Sequence, residues 1–355
     1  MDIDMPTTRR DFLTATARIL GGGALLAASG GALAACSGDD EPGRGAEGPS
    51  PVTFQLGWLA NVENMGIYVA DDAGYFTSEG LQATIVPGGP SLSVGPLVAS
   101  GKAFVGLDSV DTVARARKEG APLKVVGATL QKNPSAVMSL AKNPIRTPQD
   151  LVGKRLGVQQ SGTEIYNAFL TANGVDPKSV KYVPVQFDPA PLVNGEVDAF
   201  ASFLTSQPIQ LQGRGIKTET FLLADHGYGL WADAFVVNEA TLADKHKRAR
   251  LVNLMRASVK GWQDAVKDPE RGAKLAVEKY GKSLQLNLQE QLQTAKAFVP
   301  LISTPETTTS GLLTMSKEGI ESNIKTMAAV GITTSAEDLF DTTILQDVFH
   351  GKPTV

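Results

Sequence analysis

Val52-Thr53-Phe54-Gln55-Leu56 is a short apolar run of strand character, and the pattern of segments after it decides the fold. Asn64 to Asp72 reads as a helix stopped near Gly74, and Leu81 to Val86 as a second strand closed by Pro87-Gly88-Gly89-Pro90. The alternation continues. Leu92 to Ser100 is helical, Phe104 to Leu107 a strand, Val110 to Lys118 a helix and Leu123 to Leu130 a strand. Strands alternating with helices indicate βαβ units around a mostly parallel sheet.

A second set of the same kind comes next. Arg155 to Val158, Val180 to Val185, Val197 to Phe200 and Thr218 to Leu223 read as strands, with a helix over Thr163 to Ala172 stopped by Asn173-Gly174. After Phe235 to Asn238 the chain is helical: Leu242 to Val266, Pro269 to Tyr280, Leu288 to Phe298 and Leu312 to Met327. The expected organisation is two α/β lobes. Residues 52–142 and 232–355 form the first, and 143–231 the second, with crossings near Ala141 to Thr147 and Ala224 to Ala234. Two crossings make a hinge, and ligands of open α/β sheets bind beyond the carboxyl ends of strands.

Outward from this core lies an N-terminal segment of different character. Thr8-Arg9-Arg10-Asp11-Phe12-Leu13 precedes an uncharged stretch from Ile19 to Ala35. Its glycines and short length argue for a cleaved export signal rather than a membrane span, and the Arg9-Arg10 pair points to the twin-arginine route. Leu33-Ala34-Ala35-Cys36 resembles a bacterial lipobox, which implies that residues 1–36 are a signal and that Cys36 becomes the acylated N-terminus. Acyl chains would hold the protein on the membrane, facing outward, without spanning it. Residues 37–51 are rich in Gly, Pro, Asp and Glu and read as a flexible tether.

Composition narrows the function classes. Of 355 residues, 42% are hydrophobic and 20% charged, and the formal net charge of -4 supplies no basic field for nucleic acid. Cys36 is the single cysteine and there are three histidines, none paired at metal-ligand spacing, so no metal and no cofactor is expected. No Gly-rich phosphate loop with a lysine is present, and nucleotide hydrolysis is not suggested.

Gln55-Leu56-Gly57-Trp58-Leu59-Ala60-Asn61, then Gly66-Ile67-Tyr68-Val69-Ala70, Gly74-Tyr75-Phe76, Glu79-Gly80-Leu81, Leu97 to Ala103 and Leu151 to Gly157 occur in an order that resembles the substrate-binding lipoproteins of ABC importers. The similarity is greatest to the branch that binds thiamine pyrimidine precursors. Relatives of that branch bind sulfonates, nitrate, taurine or riboflavin-type precursors. The resemblance runs from about Val52 to about Phe298. It implies a two-lobed type II periplasmic-binding fold with a ligand cleft between the lobes. It also implies a small-molecule ligand, and an ABC permease with its ATPase as partners. No catalytic residue is expected. The same fold resembles a pyrimidine synthase that consumes its own histidine and needs iron, but the export signal and the scarcity of Cys and His favour a binding protein.

The candidate site residues lie at strand ends. Trp58 offers an indole that could stack on a heteroaromatic ring, or pack in the core. Asn61 offers a donor and an acceptor to a ring edge, or caps a helix. Glu63 could hold an amino or protonated ring group. Asp108 and Ser109 touch ligand or cap the next helix, and Gln131 ends another strand. Ser161, Gly162 and Thr163 lie between a strand and a helix, where backbone N–H groups face an anion or polar edge. Phe187 and Phe203 could sandwich a ring against Trp58, with Gln207 close by. Trp231 and Tyr228 close the cleft or pack the hinge, and Asp233 could pair with a ligand amine.

Overall fold

The computed structural model describes residues 48–89, 92–159 and 162–355. The proposed signal, with Arg9, Arg10 and Cys36, lies outside them, as do most of the tether and Ser161. Among the described residues no helix is long and apolar enough to cross a membrane.

Among these residues ten strands form two five-stranded sheets. In chain order they are β1 (Ser50–Gln55), β2 (Leu81–Val86), β3 (Val105–Asp108), β4 (Leu123–Leu130), β5 (Ser135–Leu140), β6 (Arg155–Val158), β7 (Lys181–Pro184), β8 (Ala199–Phe203), β9 (Thr218–Leu222) and β10 (Ala232–Asn238). Lobe 1 has the order β2-β1-β3-β10-β4 and lobe 2 the order β7-β6-β8-β5-β9. Each sheet is parallel except for one strand. β10 runs antiparallel to β3 and β4, and β5 antiparallel to β8 and β9. These are the two strands reached directly from the other lobe, so each enters its sheet from the end at which its neighbours finish.

This corrects the first crossing. Ser135 to Leu140 already pairs with lobe 2, so the chain crosses at residues 131–134 rather than near Ala141 to Thr147. It returns between β9 and β10. Because Leu130 pairs with Ala232 and Ser135 with Phe203, the crossing joins the carboxyl-end edges of the two sheets and makes those edges neighbours.

Fifteen helices of the described residues cover the sheets. Lobe 1 begins with α1 (Met65–Asp72), α2 (Tyr75–Ser78), α3 (Val94–Ala99) and α4 (Val110–Lys118). Lobe 2 carries α5 (Thr163–Ala172), α6 (Ala190–Val193) and α7 (Gln207–Gly213). The rest lie beyond β10: α8 (Glu239–Ala243), α9 (Lys245–Lys267), α10 (Pro269–Leu275), α11 (Leu288–Ile302), α12 (Pro305–Ser310), α13 (Lys317–Ala329), α14 (Ala336–Leu339) and α15 (Thr343–Phe349). α9 starts where the Asp244 carboxylate accepts the N–H groups of His246 and Lys247, which supplies partners for two otherwise open donors. It buries Leu251, Leu254, Met255, Val259 and Trp262 against α1. The two helices cross so closely that a Cβ on Gly261 would lie 2.2 Å from the Gly66 carbonyl oxygen. Only glycine permits that approach.

The expected helix from Leu312 starts later, at Lys317, with the Ser316 hydroxyl accepting the Gly319 N–H. Leu313 instead takes a left-handed backbone and its carbonyl accepts the Ala128 N–H at 3.0 Å, docking a loop on β4. A tertiary hydrogen bond here outweighs the local apolar pattern.

Candidate functional site

β1 ends in a tight turn. A Cβ on Gly57 would lie 2.5 Å from the Leu107 carbonyl oxygen, so the backbone passes directly over β3. The Gln55 amide donates to the carbonyls of Leu56, Val86 and Pro87, and the Gly88 N–H donates to the Trp58 carbonyl at 2.8 Å. This anchored turn presents Trp58 with 37% of its surface exposed, high for an indole. Asn61 is partly engaged by its own turn, its Oδ1 accepting the Glu63 N–H at 2.9 Å.

Three carboxyls gather at the same edge. Register pairs Ala234 with Asp108, which sets Asp233 beside the end of β3, and Glu63 meets Asp233 from the turn before α1. Burial raises the pKa of both Glu63 and Asp233. The two carboxyls are neighbours, and a charge on Glu63 further disfavours ionisation of Asp233. The Oδ2 of Asp233 is sealed from solvent and meets no N–H or hydroxyl donor. Asp233 also has a left-handed backbone, φ 49°, a conformation that costs of order 1–3 kcal/mol and concentrates at functional sites. Burial pushes Asp108 up to about 6, although its Oδ1 accepts the Ser109 N–H at 2.8 Å. Among the described residues none of the three carboxyls forms an ion pair with a Lys or Arg.

Lobe 2 faces this edge with aromatic surface. Phe187 is 53% and Phe203 47% exposed. Gln207 is 1% exposed and does not offer itself to a ligand. Its Oε1 accepts the Phe203 N–H at 2.9 Å and its Nε2 donates to the Phe187 carbonyl at 3.4 Å, so it holds the two aromatic turns together. Gly162 and Thr163 open α5 at the end of β6.

Other expected residues serve the framework. The Gln131 side chain donates to the carbonyls of Ala128 and Thr314. Ser109 Oγ lies 2.7 Å from Thr112 Oγ1 on the first turn of α4. Of the two roles expected for Trp231, closing the cleft or packing the hinge, its packing fits the second: it is 3% exposed, stands edge-on to Phe340, donates its backbone N–H to the Asn323 Oδ1 and packs tightly against Gly319. Tyr228 is buried too. The surface Trp231 packs on comes from α13 and the end of α14, far along the chain. The carboxyl pairing was invisible in sequence because its members come from three separate segments.

A surface hollow lies elsewhere. About 780 Å³ in volume, it is lined by Lys142, Arg155 and Asp198 among others, at the opposite edge of the lobe 2 sheet, where Arg155 and Asp198 pair at 2.8 Å. Among the described residues no group of three or more His, Cys, Asp or Glu side chains is placed to hold a metal ion.

Comparison with known proteins agrees with this architecture. The riboflavin-binding protein RibY of Chloroflexus aurantiacus is 25% identical, covering 74% of this chain and 75% of its own. The formylaminopyrimidine-binding protein of Halalkalibacterium halodurans is 27% identical over 62% and 67% of the two chains. A 4-amino-5-hydroxymethyl-2-methylpyrimidine phosphate synthase of Legionella pneumophila is 28% identical over 64% and 72%. In fold, the chain is similar to the periplasmic aliphatic sulphonate binding protein SsuA of Escherichia coli, with a TM-score of 0.64 at 12% identity over 83% and 92% of the two chains. Residues 61–272, more than half of the chain, match the family described as NMT1/THI5 like, and the chain belongs to that family.

Proposed function

We propose that this protein captures a small heteroaromatic solute rich in N–H donors, of the aminopyrimidine class, between its lobes. The observation that carries the reading is the group of three carboxyls without a cation beside the exposed Trp58. Unpaired buried carboxyls are costly, and an amino group or protonated ring nitrogen would supply the missing partner. The indole face offers a stacking platform for the same ring, and Phe187 or Phe203 a second one from lobe 2. Relatives that bind riboflavin or a formylaminopyrimidine support a flat nitrogen heterocycle.

A sulfonate, taurine or nitrate fits less well. An anion would meet the three carboxyls, while Lys132 is paired with Asp225 at 3.0 Å and Arg155 with Asp198. Catalysis is the second reading, since pyrimidine phosphate synthases are among the relatives. His226 packs edge-on against Phe221 in the second crossing rather than facing the carboxyls, which favours capture without turnover. In this reading the export signal and lipidated Cys36 hold the protein outside the membrane, where it delivers its solute to an ABC permease and its ATPase.

Isothermal titration with 4-amino-5-hydroxymethyl-2-methylpyrimidine, riboflavin and taurine tests the assignment. Binding of either heterocycle, unchanged in recovered mass, supports it. Binding of taurine alone overturns the solute class, and a changed heterocycle mass overturns the non-catalytic role.

A further inference from the structure

Helix α11 belongs to lobe 1 by its core. Ala295, Phe298, Leu301 and Ile302 are buried there, and Asn287 caps its start by accepting the Glu290 N–H. Three of its polar contacts do something that this packing does not require. The Gln291 Oε1 accepts the Val62 N–H at 2.9 Å, in the turn that carries Asn61 and Glu63. One turn later the Thr294 hydroxyl donates to the Thr205 carbonyl at 3.1 Å, in the lobe 2 turn between Phe203 and Gln207. Near its end the Leu301 carbonyl, one of the last four that a helix leaves open, accepts the N–H groups of Gln131 at 2.8 Å and Lys132 at 3.3 Å in the crossing segment.

Residues three apart lie on one side of a helix. That side of α11 therefore meets a site turn of each lobe, and its C-terminal end meets the hinge between them. Two crossing chains alone leave a hinge free to open, and a third tie across the same edge restricts it. We propose that α11 is a strap that sets the separation of the lobes, and that Thr294 is the positioning residue through which it holds the Phe203 turn opposite the Asn61 turn. Thr205 is buried, so its carbonyl finds little replacement from solvent when the bond is lost. The strap does not depend on which solute is bound, and its failure is distinguishable from a failure of the functional reading.

The test needs no ligand. The full chain carries Cys36→Ser and spin labels on cysteines introduced at the exposed positions Glu119 in lobe 1 and Lys178 in lobe 2, and pulsed EPR reads the interlobe distance. Thr294→Val keeps the shape and removes the donor, and Thr294→Ser keeps the donor. The expected result is a longer, broader distance distribution for Thr294→Val and a wild-type one for Thr294→Ser. With 4-amino-5-hydroxymethyl-2-methylpyrimidine as probe, Thr294→Val is expected to raise Kd roughly threefold to tenfold, the scale of one net hydrogen bond. A Thr294→Val distribution that superimposes on wild type overturns the strap. A Thr294→Ser distribution that shifts with Thr294→Val overturns the role of the hydroxyl.

Discussion

The two lobes share a sheet plan but present opposite chemistry at their neighbouring edges. The edge of lobe 1 is polar and partly sealed. Its carboxyls lie beside an anchored turn, and the charge of Glu63 disfavours ionisation of Asp233. The edge of lobe 2 is apolar and open, with two exposed phenylalanines held by a buried glutamine. Buried polar groups without full partners are expensive and must be pre-positioned by surrounding structure, whereas exposed aromatic surface is tolerated and adapts on closure. The difference suggests a division of labour. On the proposed function, lobe 1 would select, because a wrong solute leaves its carboxyls unpaired, and lobe 2 would close, because almost any flat apolar face satisfies it.

That contrast can be broken most sharply at Glu63. Glu63→Gln removes the Glu63 charge, and affinity for an aminopyrimidine should fall roughly tenfold to a hundredfold, the range of a hydrogen bond to a charged group. Titration calorimetry showing wild-type affinity would take selection away from lobe 1. Trp58→Ala should cost more than about tenfold for the same ring, through lost stacking and lost apolar burial, while an inorganic anion would lose little. Fluorescence titration compares the two solutes directly.

Phe203→Ala probes the other side and should weaken several heterocycles alike, by roughly threefold to tenfold. A loss confined to one heterocycle would show that lobe 2 also selects. The smallest effect concerns stability. The folded-state pKa of Asp108, about 6, lies above its ordinary value, so the folded state holds the proton more tightly than the unfolded chain. Stability is then greatest below the unfolded value and falls as pH rises through about 6, where the buried carboxyl must ionise. Asp108→Asn keeps the acceptor for the Ser109 N–H and removes the charge. Its Tm should exceed wild type by about 2–4 °C at pH 8 and match it near pH 3, below the unfolded value. Calorimetric melts at the two pH values would reveal an equal gain at both if ionisation were not the cause.

Much of lobe 1 was legible because its first strands and helices alternate within short distances and end at glycines. β5 was not. Ser135-Ala136-Val137-Met138-Ser139-Leu140 has no polar alternation, and only its pairing with β8 and β9 assigns it to lobe 2. Trp58, Phe187 and Phe203 were findable as aromatics at or just past strand ends, and all three are exposed. Trp231, in the crossing segment, could close the cleft or pack the hinge, and its burial was not legible because the residues that cover it, Asn323 and Phe340, come from distant helices or their edges.

The sequence by itself determined two α/β units, the positions of their strand ends and the chemistry available there, because periodicity, glycine stops and residue type are local properties. Only the tertiary structure decided that Asp233 enters antiparallel beside Asp108 and meets Glu63, and that α11 reaches both lobes. Those contacts arise from strand register and helix docking, which are set by how the whole core packs and not by any segment within it.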